Sequence, residues 1–386
     1  MSERAEAAAT TATTTETATT REPRGTGPVV FLPGFKGSRL VDAQTREVLW
    51  LTAWRALPFA PAPPLALPDT RAVAADGALE SLLGGLYAVY APFLRAARLR
   101  WGARLHVFAY DWRQDIAATA QHLATFLAQL RREHGGDDCA PPTLIAHSMG
   151  GLVVWAMLSR LVADEHQEDE DEERRQQLAS WVARAKILFV GTPFRALEPL
   201  LEDMTPGTAA HCGYLPAPVL ATLPAAFELL APARAACDPR VHDAAVWARH
   251  RVAVFGTTPP PSPEQAEQLC AAVREMLAAA DAFRTHALRA DFAHTPLAHL
   301  RVAVVAGRTR ATKTGLPPAF FDDASDAPLD WRTCPRTPGD GRVPHAAATA
   351  VPAGLDVRAV VDTPNDHGAL LNDENALLKA LQALEG

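Results

Sequence analysis

Long apolar runs are missing from this 386-residue chain. No stretch of about 18 uninterrupted apolar residues occurs, which excludes a membrane-spanning helix at the level of sequence. Cysteine is scarce: the five present (Cys139, Cys212, Cys237, Cys270, Cys334) are odd in number, and no two stand at Cys-x-x-Cys spacing. Residues 1–27 lack the apolar core of a secretory signal. Together these point to a cytoplasmic protein with free thiols. A Cys212–Cys237 disulfide is the alternative if a signal once preceded the chain. There is no excess of base, since 37 Lys and Arg face 44 Asp and Glu. That disfavours a nucleic-acid surface, which needs a basic face. No H-E-x-x-H motif occurs, and His286, His294 and His299 do not share a helical face. No glycine-rich phosphate loop follows a strand. Neither a metal nor a cofactor is expected.

What is present is ordinary for a globular protein: 48% hydrophobic residues and a mean hydropathy of −0.04. The net charge of −7 comes from one place, because residues 164–173 (DEHQEDEDEE) hold eight carboxylates and no Lys or Arg. The remainder is nearly neutral, and the run reads as a solvating loop. Residues 1–27, rich in Thr and Ala, read as a disordered tail. Short apolar runs predict buried strands at Val29–Leu32, Leu105–Ala109, Thr143–His147, Lys186–Val190, His299–Ala306 and Val357–Val361. Helical spacing predicts helices over 79–100, 115–134, 150–161, 172–184, 263–290 and 369–384. Strands alternating with amphipathic helices predict an α/β fold, a mainly parallel sheet covered on both faces. The proline-rich stretch 57–68 reads as a surface connection. The rhythm lapses between Val190 and Leu300. The predicted organisation is therefore a tail (1–27), a core (28–194), an inserted, mostly helical cap (195–295) and the rest of the core (296–386). The apolar face of helix 263–290 reads as packed on its own core, with transient membrane-surface contact as the alternative. Oligomeric state is not legible.

The chemistry concentrates in Thr143–Gly151. Ala146-x-Ser148-x-Gly150 joins a strand to a helix, as a nucleophile elbow does. The turn is so sharp that only small residues fit beside the serine. A helix N-terminus there offers unpaired N–H groups to a developing oxyanion. The alternative for Ser148 is a plain helix N-cap. A partner acid and then a base should follow further along the chain. His367, just past the last strand, fits the base. The loop after the strand ending at Ala306 offers Asp322, Asp323, Asp326, Asp330 and Asp340. Asp340 is flanked by glycines that allow a tight turn, and it is the candidate acid. His345 follows no strand and ranks below His367. His147 adjoins the serine and is read as a packing or hydrogen-bonding residue. Oxyanion donors are expected from the N–H of Met149 and from the loop Pro33–Ser38, with Phe35 as its candidate. Lys36 on that loop reads as a surface residue.

Several further motifs occur in a fixed order: Pro33-Gly34-Phe35-x-Gly37-Ser38, Tyr110-Asp111-Trp112-Arg113, Ala146-His147-Ser148-Met149-Gly150-Gly151, Gly191-Thr192-Pro193-Phe194, Gly339-Asp340-Gly341-x-Val343-Pro344 and His367-Gly368. In these the chain resembles the lecithin:cholesterol acyltransferase-like family of the α/β-hydrolases, over nearly all of 28–384. Leu223–Leu230 is similar to that family's cap segment. Arg195-Ala196 and Lys36 depart from its pattern. The resemblance implies an α/β-hydrolase fold with a cap, and acyl transfer from a hydrophobic or lipid ester to water or an alcohol. It implies Ser148, Asp340 and His367 as the triad. It also marks Asp111, Trp112 and Phe194 as candidates for the substrate pocket, with Asp111–Arg113 read as largely structural. A non-catalytic binding protein with the same fold is the remaining alternative.

Overall fold

Six strands form one parallel sheet, and the apolar sequences of its central strands explain why these are buried on both faces. The computed structural model describes residues 27–52, 64–82, 87–163, 169–205, 215–257 and 259–386. The expected tail up to residue 26, Cys212, most of the proline-rich stretch and half of the acidic one lie outside these residues. Along the chain come β1 (Val29–Leu32), β2 (Ser38–Asp42), β3 (Val48–Trp50), β4 (Val73–Ala78), β5 (Ser81–Leu82) and β6 (Tyr87–Ala88). Then follow α1 (Ala91–Trp101), β7 (Leu105–Val107), α2 (Ile116–Glu133), β8 (Thr143–His147), α3 (Met149–Leu161), α4 (Asp169–Val182) and β9 (Lys186–Val190). The short helices α5 (Leu200–Asp203), α6 (Ala217–Leu220), α7 (Pro224–Leu230) and α8 (Ala244–Arg249) precede the long α9 (Pro263–Ala282). The chain closes with β10 (Arg301–Gly307), β11 (Arg310–Lys313), β12 (Arg336–Gly339), α10 (His345–Ala348), β13 (Asp356–Thr363) and α11 (Glu374–Glu385).

The sheet order is β13-β10-β9-β8-β1-β7, with every pairing parallel. Alternation along each strand divides the core in two. Val29, Phe31, Ile145, Leu188, Val190, Ala303 and Val305 face α1 and α11, meeting Phe93, Leu94, Leu377 and Ala380. Val30, Leu32, Leu144, Phe189, Val302 and Val304 face the other way, into a larger cluster with α2, α3 and α4. That cluster continues without a break into the 195–295 segment, through Leu223, Phe227, Trp247, Leu277 and Phe283. The central strands sit in register, Phe31 opposite Ile145 and Ala146 opposite Phe189, so their C-terminal ends form one edge.

Three expectations need correction. The helix predicted from residue 79 begins only at Ala91. Pro92 lacks an N–H and suits the first helical turn, while Tyr87–Ala88 pairs instead with Ser81–Leu82. The closing helix is interrupted: His367–Asn372 forms a 3-10 turn, and Asp373 then caps α11 through the N–H of Ala376. Helix α9 stops at Ala282 and runs into a π turn, Phe283–Ala287. Its apolar stripe (Val273, Leu277, Ala280, Phe283) is buried against the molecule's own core, and α9 packs on α7 and α8. The face offered to a membrane in the sequence reading is therefore taken. Among the described residues no helix is long and apolar enough to cross a membrane. Cys139, Cys237, Cys270 and Cys334 are free thiols.

Candidate active site

Strand β8 ends in the middle of the sheet, and the chain turns there at once into α3. Ser148 makes the turn with φ +53° and ψ −123°, a region that L-residues rarely occupy. Its N–H still reaches back to the carbonyl of Val190 at 2.8 Å, which pins the turn to β9. A Cβ on Gly150 would come within 2.7 Å of the Pro33 carbonyl oxygen, and one on Gly34 within 2.8 Å of Ser148 Cβ. Any larger residue at either place would force α3 and the Pro33–Ser38 loop apart.

His367 Nε2 lies 2.9 Å from Ser148 Oγ. His367 Nδ1 lies 2.7 Å from Asp340 Oδ2. The other carboxylate oxygen of Asp340 accepts the N–H groups of Arg342 (2.8 Å) and Val343 (2.6 Å), a bond pattern that the flanking glycines allow. The N–H of His367 donates to the carbonyl of Asp340, which fastens the two loops together. Asp340 is 1% exposed. Burial works to raise its pKa. The charge of His367, the hydrogen bond from that ring and the two loop N–H groups outweigh burial and hold it below the usual carboxylate value. An ionised Asp340 fixes the His367 tautomer: Nδ1 carries a proton, and Nε2 is left to accept one from Ser148.

Met149 heads α3, and Phe35 sits on the facing loop. Among the described residues neither backbone N–H has a hydrogen-bond partner. The loop that carries Phe35 is held from several sides. Tyr110 Oη donates to the Pro33 carbonyl at 2.7 Å, Trp50 Nε1 to Lys36 at 3.0 Å and Trp112 Nε1 to Ser38 at 3.1 Å. The Phe35 ring packs edge-on against Trp112, with centroids 5.2 Å apart. Trp112 is fully buried and braces the loop. Asp111 makes a two-oxygen ion pair with Arg113, which is 1% exposed and also reaches Asp69. Lys36, read as a surface residue, is buried in this loop. Phe194 is buried between Phe189 and Trp155. His345 lies apart, with Nε2 on Asp362 at 2.8 Å.

Comparison with known proteins agrees with the topology. Residues 95–186 match the family described as Alpha/beta hydrolase of unknown function (DUF900). The structure in a Tle4-Tli4 complex is similar over 92% of this chain and 97% of that one, with 15% identity and a TM-score of 0.52. The chain has the α/β-hydrolase fold. The lipase BlEst2 of Bacillus licheniformis is 13% identical over 94% of this chain and 93% of its own, with a TM-score of 0.39. The uncharacterized protein YJR098C of Saccharomyces cerevisiae is 27% identical over 139 residues, which cover 34% of this chain and 21% of that protein.

On this hydrolase fold, two polar residues escaped the sequence reading. Tyr90 Oη lies 2.8 Å from His147 Nδ1, 57 residues away, a contact that no local motif announces. Arg284 is the other. It is aimed inward from the π turn after α9, and its guanidinium donates to the carbonyls of Glu228 (2.8 Å), Leu229 and Phe194. Burial pushes its pKa down to about 10, against the attraction of Glu228 and Glu198. It closes the C-terminal turn of α7, where unpaired carbonyls favour a cation.

Proposed function

We propose that the chain is a serine acyl-ester hydrolase working through an acyl-Ser148 intermediate on an uncharged, hydrophobic ester. The observation that carries the reading is the hydrogen-bonded line Ser148 Oγ, His367 Nε2, His367 Nδ1, Asp340 Oδ2. In the first step His367 Nε2 takes the Ser148 proton as Oγ attacks the ester carbonyl carbon. The carbonyl oxygen becomes an oxyanion, and the N–H groups of Met149 and Phe35 receive it. His367 then gives its proton to the leaving alcohol. The same nitrogen next takes a proton from water as the water oxygen attacks the acyl carbon. The acyl–Oγ bond then breaks, the carboxylic acid leaves, and His367 returns the proton to Ser148 Oγ. Asp340 stays ionised throughout and stabilises the imidazolium. The 195–295 segment serves in this reading as a lid that keeps bulk water from the acyl-enzyme.

A second reading is favoured by the Tyr110–Arg113 and Gly339–Pro344 motifs shared with acyltransferase-like proteins. In it an alcohol replaces water as acceptor, with the same residues and proton path. A fluorophosphonate probe tests the common ground. Labelling should fall on Ser148 and vanish in Ser148→Ala. A folded protein that is not labelled would be a binding protein instead. p-Nitrophenyl esters turned over with and without an added alcohol then divide hydrolysis from transfer.

A further inference from the structure

The proposed chemistry leaves two buried polar side chains beside the serine without a task. Tyr90 is 3% exposed and His147 5%. The N–H of Gly34 donates to Tyr90 Oη at 3.0 Å. Tyr90 Oη lies 2.8 Å from His147 Nδ1, and His147 Nε2 lies 3.1 Å from the carbonyl oxygen of His367. A carbonyl can only accept, so Nε2 carries the ring proton and Nδ1 is the acceptor. Tyr90 must then donate its hydroxyl proton to Nδ1, which leaves an oxygen lone pair for Gly34. Every bond in the line therefore has one donor and one acceptor. The line runs from the loop that carries Phe35, through the residue before Ser148, to the loop that carries His367.

We infer that Tyr90 and His147 act as a neutral strut that sets the oxyanion loop and the histidine loop at fixed distances from Ser148, which makes both of them positioning residues for acyl transfer. The inference rests on Ser148 being the nucleophile. Two loops from opposite ends of the chain have to meet the serine together, and a shift of about 1 Å in such a site costs on the order of a hundredfold in rate. Neutrality matters as well, because a second positive ring beside the His367 imidazolium would oppose the transition state. The ring centroids are 5.0 Å apart. Burial, and then repulsion by His367, hold the His147 pKa down to about 3, against the His367 carbonyl and Asp340.

The test compares wild type with Tyr90→Phe, His147→Leu, His147→Gln and the Tyr90→Phe/His147→Leu double variant on p-nitrophenyl butyrate. Tyr90→Phe keeps the ring against Phe31, at 5.1 Å, and loses only the hydroxyl. It decides the question even if His147→Leu fails to fold. Tyr90→Phe and His147→Leu should lower kcat about ten- to hundredfold with KM within about twofold. His147→Gln, whose amide can both donate and accept, should recover most of kcat. The double variant should be no slower than the slower single one, since both break one line. An unchanged kcat in Tyr90→Phe, or losses that multiply in the double variant, would overturn the strut. Fluorophosphonate labelling separates the two layers. An unlabelled wild-type Ser148 removes the nucleophile reading and the strut together. A labelled wild type with an unimpaired Tyr90→Phe removes the strut alone.

Discussion

A carboxylic acid taken out of water ordinarily holds its proton more tightly, yet Asp340 at 1% exposure is shifted the other way. The cause is a turn in which two backbone N–H groups and one imidazole N–H converge on four lone pairs. A lowered pKa means that the folded state gives up this proton more readily than the unfolded one. The stabilisation is present above the unfolded value of 3.8 and is lost as pH falls through the folded value. Asp340→Asn tests the role directly. The amide keeps the shape but cannot stabilise an imidazolium, and it presents an N–H where an acceptor is needed. By analogy with the serine-protease triad, kcat should fall by about four orders of magnitude while the fold survives. Single-turnover kinetics on a p-nitrophenyl ester read the loss, and a drop of less than about tenfold would remove Asp340 from the line. The meeting of Ser148 and His367 was legible beforehand because each sits in a short motif just past a strand end. Asp340 stood out among five aspartates because only it has glycines on both sides. Tyr90 was not legible, since its polar partners lie 56 and 57 residues away.

At the scale of elements, the central strands of the main sheet declared themselves because both their faces are apolar. The small sheets did not. Strand β4 reads VAADGA and is mostly half-buried, and β12 reads RTPG, with a proline and a glycine. Both are strands only because a distant partner pairs with them, β2 for the first and β11 for the second. The joint between α7 and α2 shows a further non-local effect. Glu228 on α7 is 1% exposed, and one of its oxygens accepts the N–H of Ile116 at 2.8 Å. Burial first, and then the neighbouring carboxylate of Asp115, push its pKa up to about 9. Glu228 is thus held as the neutral acid at the joint. For a group raised from 4.5 to about 9, the folded state holds the extra proton. The stability it contributes is full below the unfolded value and drains away as pH rises toward the folded one. Glu228→Gln keeps a donor and an acceptor without the ionisation. Its melting temperature should decline less than that of wild type between neutral pH and pH 9. Parallel declines in the two proteins would assign the proton elsewhere. Leu277→Ala addresses the α9 stripe. Leu277 is completely buried, so its truncation should cost about 2–5 kcal/mol in denaturant unfolding. Sedimentation with phosphatidylcholine vesicles should stay unchanged, and a loss of vesicle binding would return the stripe to the membrane.

Charge is a property of the whole molecule, and here its position decides its effect. Eight of the 44 carboxylates fall within residues 164–173, and the run continues into the start of α4 at Asp169. Acidic residues in a first helical turn favour the helix through its dipole. Helix α3 has 13 residues and carries Ser148 at its head. At about 1.5 Å per residue its far end lies roughly 20 Å from the serine. The acidic run begins three residues beyond that end, at Asp164. Fields from exposed charges fade over about 8 Å at physiological salt, so charge at the far end of α3 would be electrically remote from the site. Asp340, the carboxylate in line with Ser148, is already paired with His367. The proposed substrate is an uncharged ester, so the net charge should not tune the reaction. Replacing the eight carboxylates by Asn and Gln should leave kcat/KM for p-nitrophenyl butyrate within about twofold at both low and high salt. A negatively charged ester makes the stricter probe, because a field that reached the site would repel it. If neutralising the run raised kcat/KM for that ester at low salt, and added salt erased the gain, the acidic charge would act on the site after all.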